Sequence, residues 1–435
     1  MQRQTQVRVW KAENLPPNWS KRTAALDEKA DALIEEDIKA IMNKVKMDGD
    51  AALVEFTEKF DKAKLSSKDL RVTVEEIKEA YEAVGKEQIL AIKFMIRKVR
   101  AFEKKVMGQM KLRTSCNGVA IRSVLRPIES VGCYVPGGRA SYPSTLVMTA
   151  TPAKVAKVPR IVVCSPPNAD GKVNALVLVA ADLCGVNEIY KVGGAQAIAA
   201  LTYGTKTIKP VKKIVGPGSR YVTLAKVLVS KDVAIDMPAG PSEILVLADD
   251  TADPKFVALD MISQAEHGAD SVAGLITTSE KLARKVLTLL NEKASSVERG
   301  LIVKKALEQY GFIITCSDED EMARLANVFA SEHVEIITEK PECTAEKITA
   351  AGVILLGPYS PVALSDYGSG TNHVFPTGGF GHAISGLSSL DFLKRINVIE
   401  SSKEGLQKIA KQVKVLTQAE NLPNHFKSVQ VRFEK

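Results

Sequence analysis

Residues 160–229 alternate short apolar runs with helix-forming segments, and this alternation limits the possible folds more than any other feature. The runs RIVVC, EIY and KIV have the composition of buried strands, and each leads into a turn rich in Gly or Pro. Strand and helix alternating at this spacing indicate βαβ units and a parallel sheet. Because ligands of doubly wound sheets bind outside the carboxyl ends of the strands, the turns are predicted to line a cleft.

Residues 242–356 repeat the same pattern. The segments SEILVLAD, VAGLITTS, GFIITCS, VEIIT and AGVILL are predicted strands, and amphipathic helical patterns lie between them. Neither a GxGxxG turn opening a βαβ unit nor a phosphate-binding GxxxxGK[ST] loop is present in the sequence. The sequence therefore predicts two α/β units. A dinucleotide that binds them would do so without the GxGxxG fingerprint.

The flanking segments have a different texture. Residues 23–113 are predicted to be helical, and Thr73 with Glu76 has the spacing of a capping box. The tail, residues 386–435, is mixed, and its last segment, SVQVRFEK, alternates in the manner of a strand.

Composition excludes several classes of protein. Hydrophobic residues make up 45% and charged residues 25% of the 435 residues, as in globular proteins, and no apolar run is long enough to span a bilayer. The N-terminus lacks the apolar region of a secretory signal, and the six scattered cysteines suit a reducing cytoplasm. The net charge of +8 is distributed among acids without interleaved aromatics, which favours a solvated surface that attracts anions over a nucleic-acid interface.

Only five histidines occur, so the context of each is informative. Gln264 and His267 are three residues apart on a predicted helix, and residues at that spacing share one face. They could hold one metal ion, although a polar helix end capped by Gly268 is an equally simple interpretation. Adjacent Glu332 and His333 suit proton transfer, with a solvent-facing pair as the alternative.

Two further histidines accompany acids. Asp366 and His373 lie in the Gly- and Ser-rich segment 361–379, and long loops of this kind more often carry function than structure. Glu420 and His425 lie in the tail and indicate nothing alone. A set of Gln, His, Asp and His suits Zn²⁺, with Mn²⁺ or Co²⁺ as alternatives.

Eight segments in this order resemble the histidinol dehydrogenase family over nearly the whole chain beyond residue 115. They are GCYVPGGRASYPSTLVMTATPAKVAKVPRIVVCSPP, VGGAQAIAALTYGT, KIVGPGS, IDMPAGPSEILVLAD, SQAEHG, SEHVEI, SDYGSGTNHVFPTGG and AENLPNHF. The resemblance implies that L-histidinol is oxidised through L-histidinal to L-histidine, the last steps of histidine biosynthesis, with two NAD consumed and one Zn²⁺ bound per subunit.

The resemblance also implies roles for particular residues. His333 is the expected base and Glu332 the residue that activates water. The expected zinc ligands, which also place the substrate, are Gln264, His267, Asp366 and His425. The other expected substrate contacts are Ser242, His373 and Glu420. The expected NAD contacts are Tyr134, Gln196 and Ser219. Ser219 stands where the family usually has Asn, and its hydroxyl is shorter than an amide and lacks the amide's two donors.

The family fold implies two incomplete Rossmann-like doubly wound α/β domains, a helical N-terminal segment and a small C-terminal tail domain. The expected boundaries are a segment 1–26, a larger domain of 27–133 and 244–385 with the zinc and acid–base residues, an NAD-binding domain 134–243, and a tail 386–435. The family also implies a homodimer in which the tail reaches the partner's active site, with no nucleic acid and no membrane involved.

Three rival functions share some of these features. A related zinc- and NAD-dependent dehydrogenase of another polar alcohol, such as a sulfonated diol, would keep the zinc and acid–base residues and change the substrate contacts. A catalytically silent zinc-binding paralogue would lack one of these residues, but all are present. An RNA-binding protein would carry an aromatic and basic stripe, which this sequence lacks.

Overall fold

The computed structural model describes residues 7–21, 28–110, 112–137 and 142–434. The strands of the described chain are β1 (Arg8–Lys11), β2 (Arg113–Cys116), β3 (Val119–Pro127), β4 (Ser130–Tyr134), β5 (Arg160–Cys164), β6 (Glu188–Tyr190), β7 (Lys213–Val215), β8 (Ala234–Ile235), β9 (Glu243–Ala248), β10 (Val272–Thr277), β11 (Phe312–Thr315), β12 (His333–Ile337), β13 (Val353–Leu356) and β14 (Leu393–Ser401). The α-helices of the same residues are α1 (Glu28–Asp48), α2 (Asp50–Phe56), α3 (Val74–Ala83), α4 (Lys86–Gly108), α5 (Pro143–Val155), α6 (Ala175–Leu183), α7 (Gly194–Tyr203), α8 (Arg220–Val229), α9 (Pro254–Ala265), α10 (Glu280–Lys293), α11 (Gly300–Tyr310), α12 (Glu319–Phe329), α13 (Pro341–Ala345), α14 (Val362–Tyr367), α15 (Lys403–Ala419) and α16 (Pro423–Gln430). None of these described helices is long and apolar enough to cross a membrane.

A five-stranded sheet has the order β6-β5-β4-β7-β8, and all its strands are parallel. The order runs outward in both directions from β4, as in a doubly wound sheet, so the strand order reverses between β4 and β7. β4 is buried throughout and β5 nearly so, which explains their unbroken apolar sequence. The predicted Rossmann-like unit is confirmed.

A six-stranded sheet has the order β1-β11-β10-β9-β12-β13 and is also parallel throughout. Apart from the edge strand β1, its order has the same form as that of the five-stranded sheet, with β9 in the place of β4. β9, β10 and β12 are buried along their whole length. The second predicted α/β unit is therefore confirmed as well.

Helices α1 to α4 cover the five-stranded sheet: α1 packs against α7 and α8, α3 against α6, and α4 against α5. The expected domain boundaries group residues 27–133 with the six-stranded sheet. The observed contacts instead place helices α1 to α4 with the five-stranded sheet. The boundaries themselves stay a prediction. The capping box is confirmed, because Thr73 and Glu76 each accept the other's backbone N–H. That pairing fixes where α3 begins.

The tail completes a third, antiparallel sheet of order β14-β3-β2, in which residues 393–401 pair with 119–127, and 113–116 pair with the other side of β3. α15 packs on β14 and on α16. The strand predicted for SVQVRFEK is wrong, because α16 runs to Gln430 and turns follow it. Pro423 at the first helical position favours helix, and the half-buried Phe426 and Val429 have helical rather than alternating spacing.

Candidate active site

The segment 236–243 joins the two parallel sheets, and the expected NAD contacts and acid–base residues belong to the elements on either side of it. Tyr134 ends β4 at the carboxyl edge of the five-stranded sheet, whereas Glu243 and His333 begin β9 and β12 at the amino edge of the six-stranded sheet. Tyr134 therefore lies at the edge where doubly wound sheets bind their ligands. The residues expected to be the acid–base pair lie at the opposite edge of the second sheet.

The turns after the strands of the five-stranded sheet pack closely. The backbone N–H of Gly194 donates to the Tyr134 hydroxyl at 3.1 Å. A Cβ added to Gly193 would lie 2.5 Å from the Cβ of Pro166, so only glycine fits there. The CSPP and VGGAQ turns therefore contact each other, and the cleft that the turns are predicted to line stays a prediction.

Glu332 is held in a reciprocal arrangement with Glu243, which is also buried. The backbone N–H of Glu243 donates to the Glu332 carboxylate at 2.9 Å, and the backbone N–H of Glu332 donates to the Glu243 carboxylate at 3.4 Å. Each carboxylate thereby gains a donor inside the protein, where an unpaired charge is costly. The pair fixes the start of β12 beside the start of β9.

The ring of His333 is oriented by the same strand. Its Nδ1 lies 3.1 Å from the Glu243 carbonyl oxygen, and because a carbonyl only accepts, Nδ1 carries the proton. Its Nε2 is buried and has no hydrogen-bond partner; the nearest carboxylate oxygen, on Asp366, is 3.7 Å away. The ring of Phe375 contacts it edge to face at 5.4 Å between centroids. Nε2 is thus held in place and left without a bond.

The electrostatic environment of His333 strongly favours the protonated ring. Burial is the largest influence and opposes the charge, but the carboxylates of Glu332 and Asp366 together raise the pKa of His333 to about 10. Glu332 Oε2 lies 3.6 Å from Nδ1. The pKa of His333 therefore depends on the charges of Glu332 and Asp366.

Asp366 lies at the centre of three histidines. Burial favours its neutral form, but His333, His373 and His267 together outweigh that influence and lower the pKa of Asp366. The Nδ1 of His373 is 3.9 Å from Asp366 Oδ1, and burial, the largest influence on it, lowers the pKa of His373. An ionised carboxylate among imidazoles is a strong cation ligand.

Gln264 and His267 lie at the carboxyl end of α9. Gln264 is buried in the last turn, whereas His267 is exposed just beyond the helix. The expected cap at Gly268 is wrong, because α9 ends at Ala265 and Glu266 occupies the cap position. Of the two residues, His267 is close enough to Asp366 to influence the pKa of that carboxylate.

The residues expected to contact NAD are spread over the carboxyl edge of the five-stranded sheet. Tyr134 and Gln196 are buried, Gln196 in the first turn of α7, and Ser219 is the exposed residue that precedes α8. The Ser219 side chain makes no capping hydrogen bond. Ser242 is half-buried and directly precedes Glu243.

Glu420 and His425 belong to the α15–α16 pair, and both are exposed. Those helices pack on each other, and α15 also packs on β14. Within the described ranges, no three or more His, Cys, Asp and Glu side chains are arranged to hold a metal ion.

Glu243 is the residue that the sequence analysis missed. Besides its bonds to Glu332 and His333, its carboxylate accepts the backbone N–H of Gly378 at 2.9 Å. One signal was available: Glu243 is the only charged residue in an otherwise apolar strand. A charge that opens a buried strand needs partners, and here the partners are the acid–base residues.

The fold and site define a class of dehydrogenase built from two doubly wound units, and comparison with known proteins makes the class specific. The family model for histidinol dehydrogenase matches residues 25–433, and the chain belongs to that family. It is an oxidoreductase of histidine biosynthesis.

Two relatives illustrate the similarity in sequence. The histidinol dehydrogenase of Methanocaldococcus jannaschii is 48% identical over 395 residues, which cover 91% of each chain. That of Methanothermobacter thermautotrophicus is 46% identical over 392 residues, covering 90% of this chain and 92% of the relative.

A solved structure extends the similarity to three dimensions. The histidinol dehydrogenase crystal structure from Elizabethkingia anophelis is 37% identical, with a TM-score of 0.90, and 98% of each chain is covered. The similarity therefore includes the tail as well as both α/β units.

Proposed function

We propose that the chain oxidises L-histidinol through L-histidinal to L-histidine in a zinc-dependent, four-electron reaction that consumes two NAD. The observation that carries the proposal is His333. Its Nδ1–H is fixed on the Glu243 carbonyl while the buried Nε2 has no partner, and Glu332 lies beside it. A base whose free nitrogen is oriented in this way suits removal of a proton from an alcohol.

His333 is the proposed base for both the alcohol and its hydrated aldehyde. Glu332 is proposed to orient and deprotonate the water that attacks the aldehyde, because its carboxylate is buried and held by the Glu243 N–H. An Asp366 carboxylate engaged with a cation no longer stabilises protonated His333. That engagement favours the neutral imidazole that a base requires.

The residues proposed to hold zinc are Gln264, His267 and Asp366 of one chain and His425 of a second copy. The donor set suits the metal, because the buried Asp366 carboxylate lies 3.9 Å from the ring of His373, and carboxylate and imidazole are groups that bind Zn²⁺. When bound, zinc positions the substrate through its imidazole and amino nitrogens. Ser242, His373 and Glu420 are proposed as further substrate contacts.

NAD is proposed to bind at the carboxyl edge of the five-stranded sheet, near Tyr134, Gln196 and Ser219. When bound, the nicotinamide accepts the hydride in each oxidation. Tyr134 shapes the edge by accepting the Gly194 N–H. Ser219 is exposed and uncommitted to a cap, so its hydroxyl is available to the cofactor in place of the family's usual Asn.

The proposed assembly is a homodimer with shared active sites, since Glu420 and His425 are exposed on the α15–α16 pair and available to a second copy. A cytoplasmic location is proposed because six unpaired cysteines, three of them buried, suit a reducing compartment. No nucleic-acid or membrane partner is proposed.

Metal removal and restoration test this function. Protein stripped with EDTA is incubated with L-histidinol and excess NAD, with and without added Zn²⁺, and NADH is measured by its absorbance. The expected result is two NADH per histidinol and only with metal. If zinc binds but histidinol yields no NADH, the substrate assignment is wrong, and other polar alcohols become the candidates.

A further inference from the structure

The five-stranded unit contains a fully buried ion pair between Lys226 of α8 and Asp236, which follows β8. The Lys226 side chain is 1% exposed and the Asp236 side chain 0%. A buried ion pair is a poor source of stability, because the desolvation of both charges offsets their attraction, and apolar replacements of similar volume are often neutral or better. The pair therefore calls for an explanation other than stability.

Both members of the pair bind the same residue, Gly216. The Lys226 ammonium donates to the Gly216 carbonyl at 2.9 Å, and the Gly216 N–H donates to the Asp236 carboxylate at 2.7 Å. The other carboxylate oxygen accepts the N–H of Met237 at 2.7 Å and contacts Lys226. Both polar backbone groups of Gly216 are thus fixed by side chains.

Gly216 directly follows β7, where the strand order of the sheet reverses beside β4. Its φ is +115°, and a Cβ there would lie 2.2 Å from the carbonyl oxygen of Tyr134, so no other residue fits. Gly216 opens the GPGS turn that ends at Ser219. The ion pair therefore fixes the first peptide groups of the turn proposed to contact NAD.

The same pair fixes the segment that leads to the acid–base residues. Asp236 begins the connection 236–243, which is held further on where Thr223 Oγ1 donates to the Ala239 carbonyl at 2.6 Å. The N–H of Gly240 donates to Thr377 Oγ1 at 2.6 Å, and the connection ends at Glu243. These hydrogen bonds fix a short segment that begins at the ion pair beside the GPGS turn. It ends at Glu243, which contacts Glu332 and His333.

We propose that Lys226 and Asp236 are positioning residues that hold the GPGS turn for NAD and set its place relative to His333. The proposal rests on the proposed function for the identity of the cofactor. It requires that loss of the pair loosen the turn and weaken NAD binding while the proposed zinc ligands on α9 and α14 keep their place, because neither helix belongs to the five-stranded unit.

The first test uses Lys226→Met and the double variant Lys226→Met/Asp236→Asn, in which no charge is left buried alone. In both variants we expect faster amide hydrogen exchange in the peptide covering 214–219 without any ligand. We also expect the Kd of NAD, measured by titration, to rise about tenfold, because positioning errors of about 1 Å cost factors of this size or more. The zinc content is expected to stay unchanged.

Arg160→Met is the matched control. It removes the Arg160–Glu188 ion pair from the opposite edge of the same sheet, so it tests loss of an ion pair without loss of the turn. In this control we expect lower thermal stability with NAD binding unchanged.

Two results would overturn the proposal: unchanged exchange and NAD affinity in the double variant, or an equal loss of NAD affinity in Arg160→Met. Failure of the proposed function is a separate outcome. It would be seen as wild-type protein that forms no NADH from histidinol, and the exchange measurement still decides the role of the pair in that case.

Discussion

A second carboxyl pair lies close to the acid–base residues. Glu335, two residues beyond His333 on β12, is 1% exposed, and one of its oxygens has no hydrogen-bond partner. Burial and the neighbouring Asp260 raise the pKa of Glu335 to about 9, and burial raises the pKa of Asp260 to about 6. At neutral pH Glu335 therefore holds a proton that it loses when the chain unfolds.

This proton makes stability depend on pH. Between the unfolded pKa of Glu335, about 4.5, and its folded value of about 9, the folded state binds one more proton, so stability falls as pH rises. We expect Glu335→Gln, which cannot ionise, to gain stability relative to wild type from pH 5 to pH 8, by at most about 1.4 kcal/mol per pH unit. Melting temperatures across that range measure the difference.

Glu342→Gln is the control for this prediction. Glu342 is exposed on α13, so its replacement should leave a difference from wild type that does not change with pH. If the stability difference between Glu335→Gln and wild type also stays the same at every pH, Glu335 is ionised in the folded protein.

Single residues differ in how far the sequence reveals them. Glu332, His333 and Asp366 were identified through family motifs, and the structure places them together. Glu243 belongs to no proton-transfer pattern, and its importance comes from hydrogen bonds to residues about 90 positions away. Contacts of that kind depend on strand pairing, which a local pattern does not specify.

At the scale of the element, α3 shows how a local motif fixes a boundary. Thr73 and Glu76 satisfy each other's backbone N–H groups, which would otherwise have no partner at the helix start. We expect Thr73→Ala to lower the stability of this helix by about 1 kcal/mol. Amide exchange of residues 74–83 should become about fivefold faster.

Thr73→Ser is the conservative comparison, because its hydroxyl can still cap the helix. Its exchange rate should stay near that of wild type. Equal acceleration in both variants would mean that the methyl group of Thr73, and not the cap, stabilises α3.

Elements were predictable where strand and helix patterns alternate over a long stretch of the chain. The strands of both parallel sheets are short buried runs between helices, and all of those predicted are present. The segment SVQVRFEK failed because eight residues fit two periods, and packing of α16 on α15 decided between them. Short segments carry too little pattern to compete with a neighbouring helix.

At the scale of the whole molecule, the tail is the part that a single chain leaves without a role. We expect His425→Ala and Glu332→Gln to be inactive alone but to recover about a quarter of wild-type activity when mixed equally and allowed to exchange subunits. In such a mixture about half of the dimers are mixed, and each has one intact site of two. The rate of NADH formation with histidinol measures this recovery.

Demonstrated subunit exchange is the necessary control, and it can be followed with two different affinity tags. A mixed dimer that forms but stays inactive would contradict the shared site. Mixing Glu332→Gln with His333→Ala should restore no activity. One chain supplies both Glu332 and His333 to a site, so each site of the mixed dimer still carries one of the two changes.

The arrangement of the whole molecule was least accessible from the sequence. β3 pairs with β14 across about 270 residues, and helices α1 to α4 cover the five-stranded sheet rather than the six-stranded one. Both facts depend on which surfaces match in shape after the elements have formed. Periodicity describes one element at a time and gives no information on that match.

The proposed acid–base residues lie at the amino edge of the six-stranded sheet, and this has a practical consequence for the opposite edge. The loops there, such as 249–253 and 338–341, are held by local bonds, for example from Thr251 and Glu339 to the Asp249 carboxylate. None of the residues assigned to chemistry lies in them. An affinity tag, a fluorophore or an inserted domain is best attached at those loops, where it lies at the opposite edge of the sheet from Glu332 and His333.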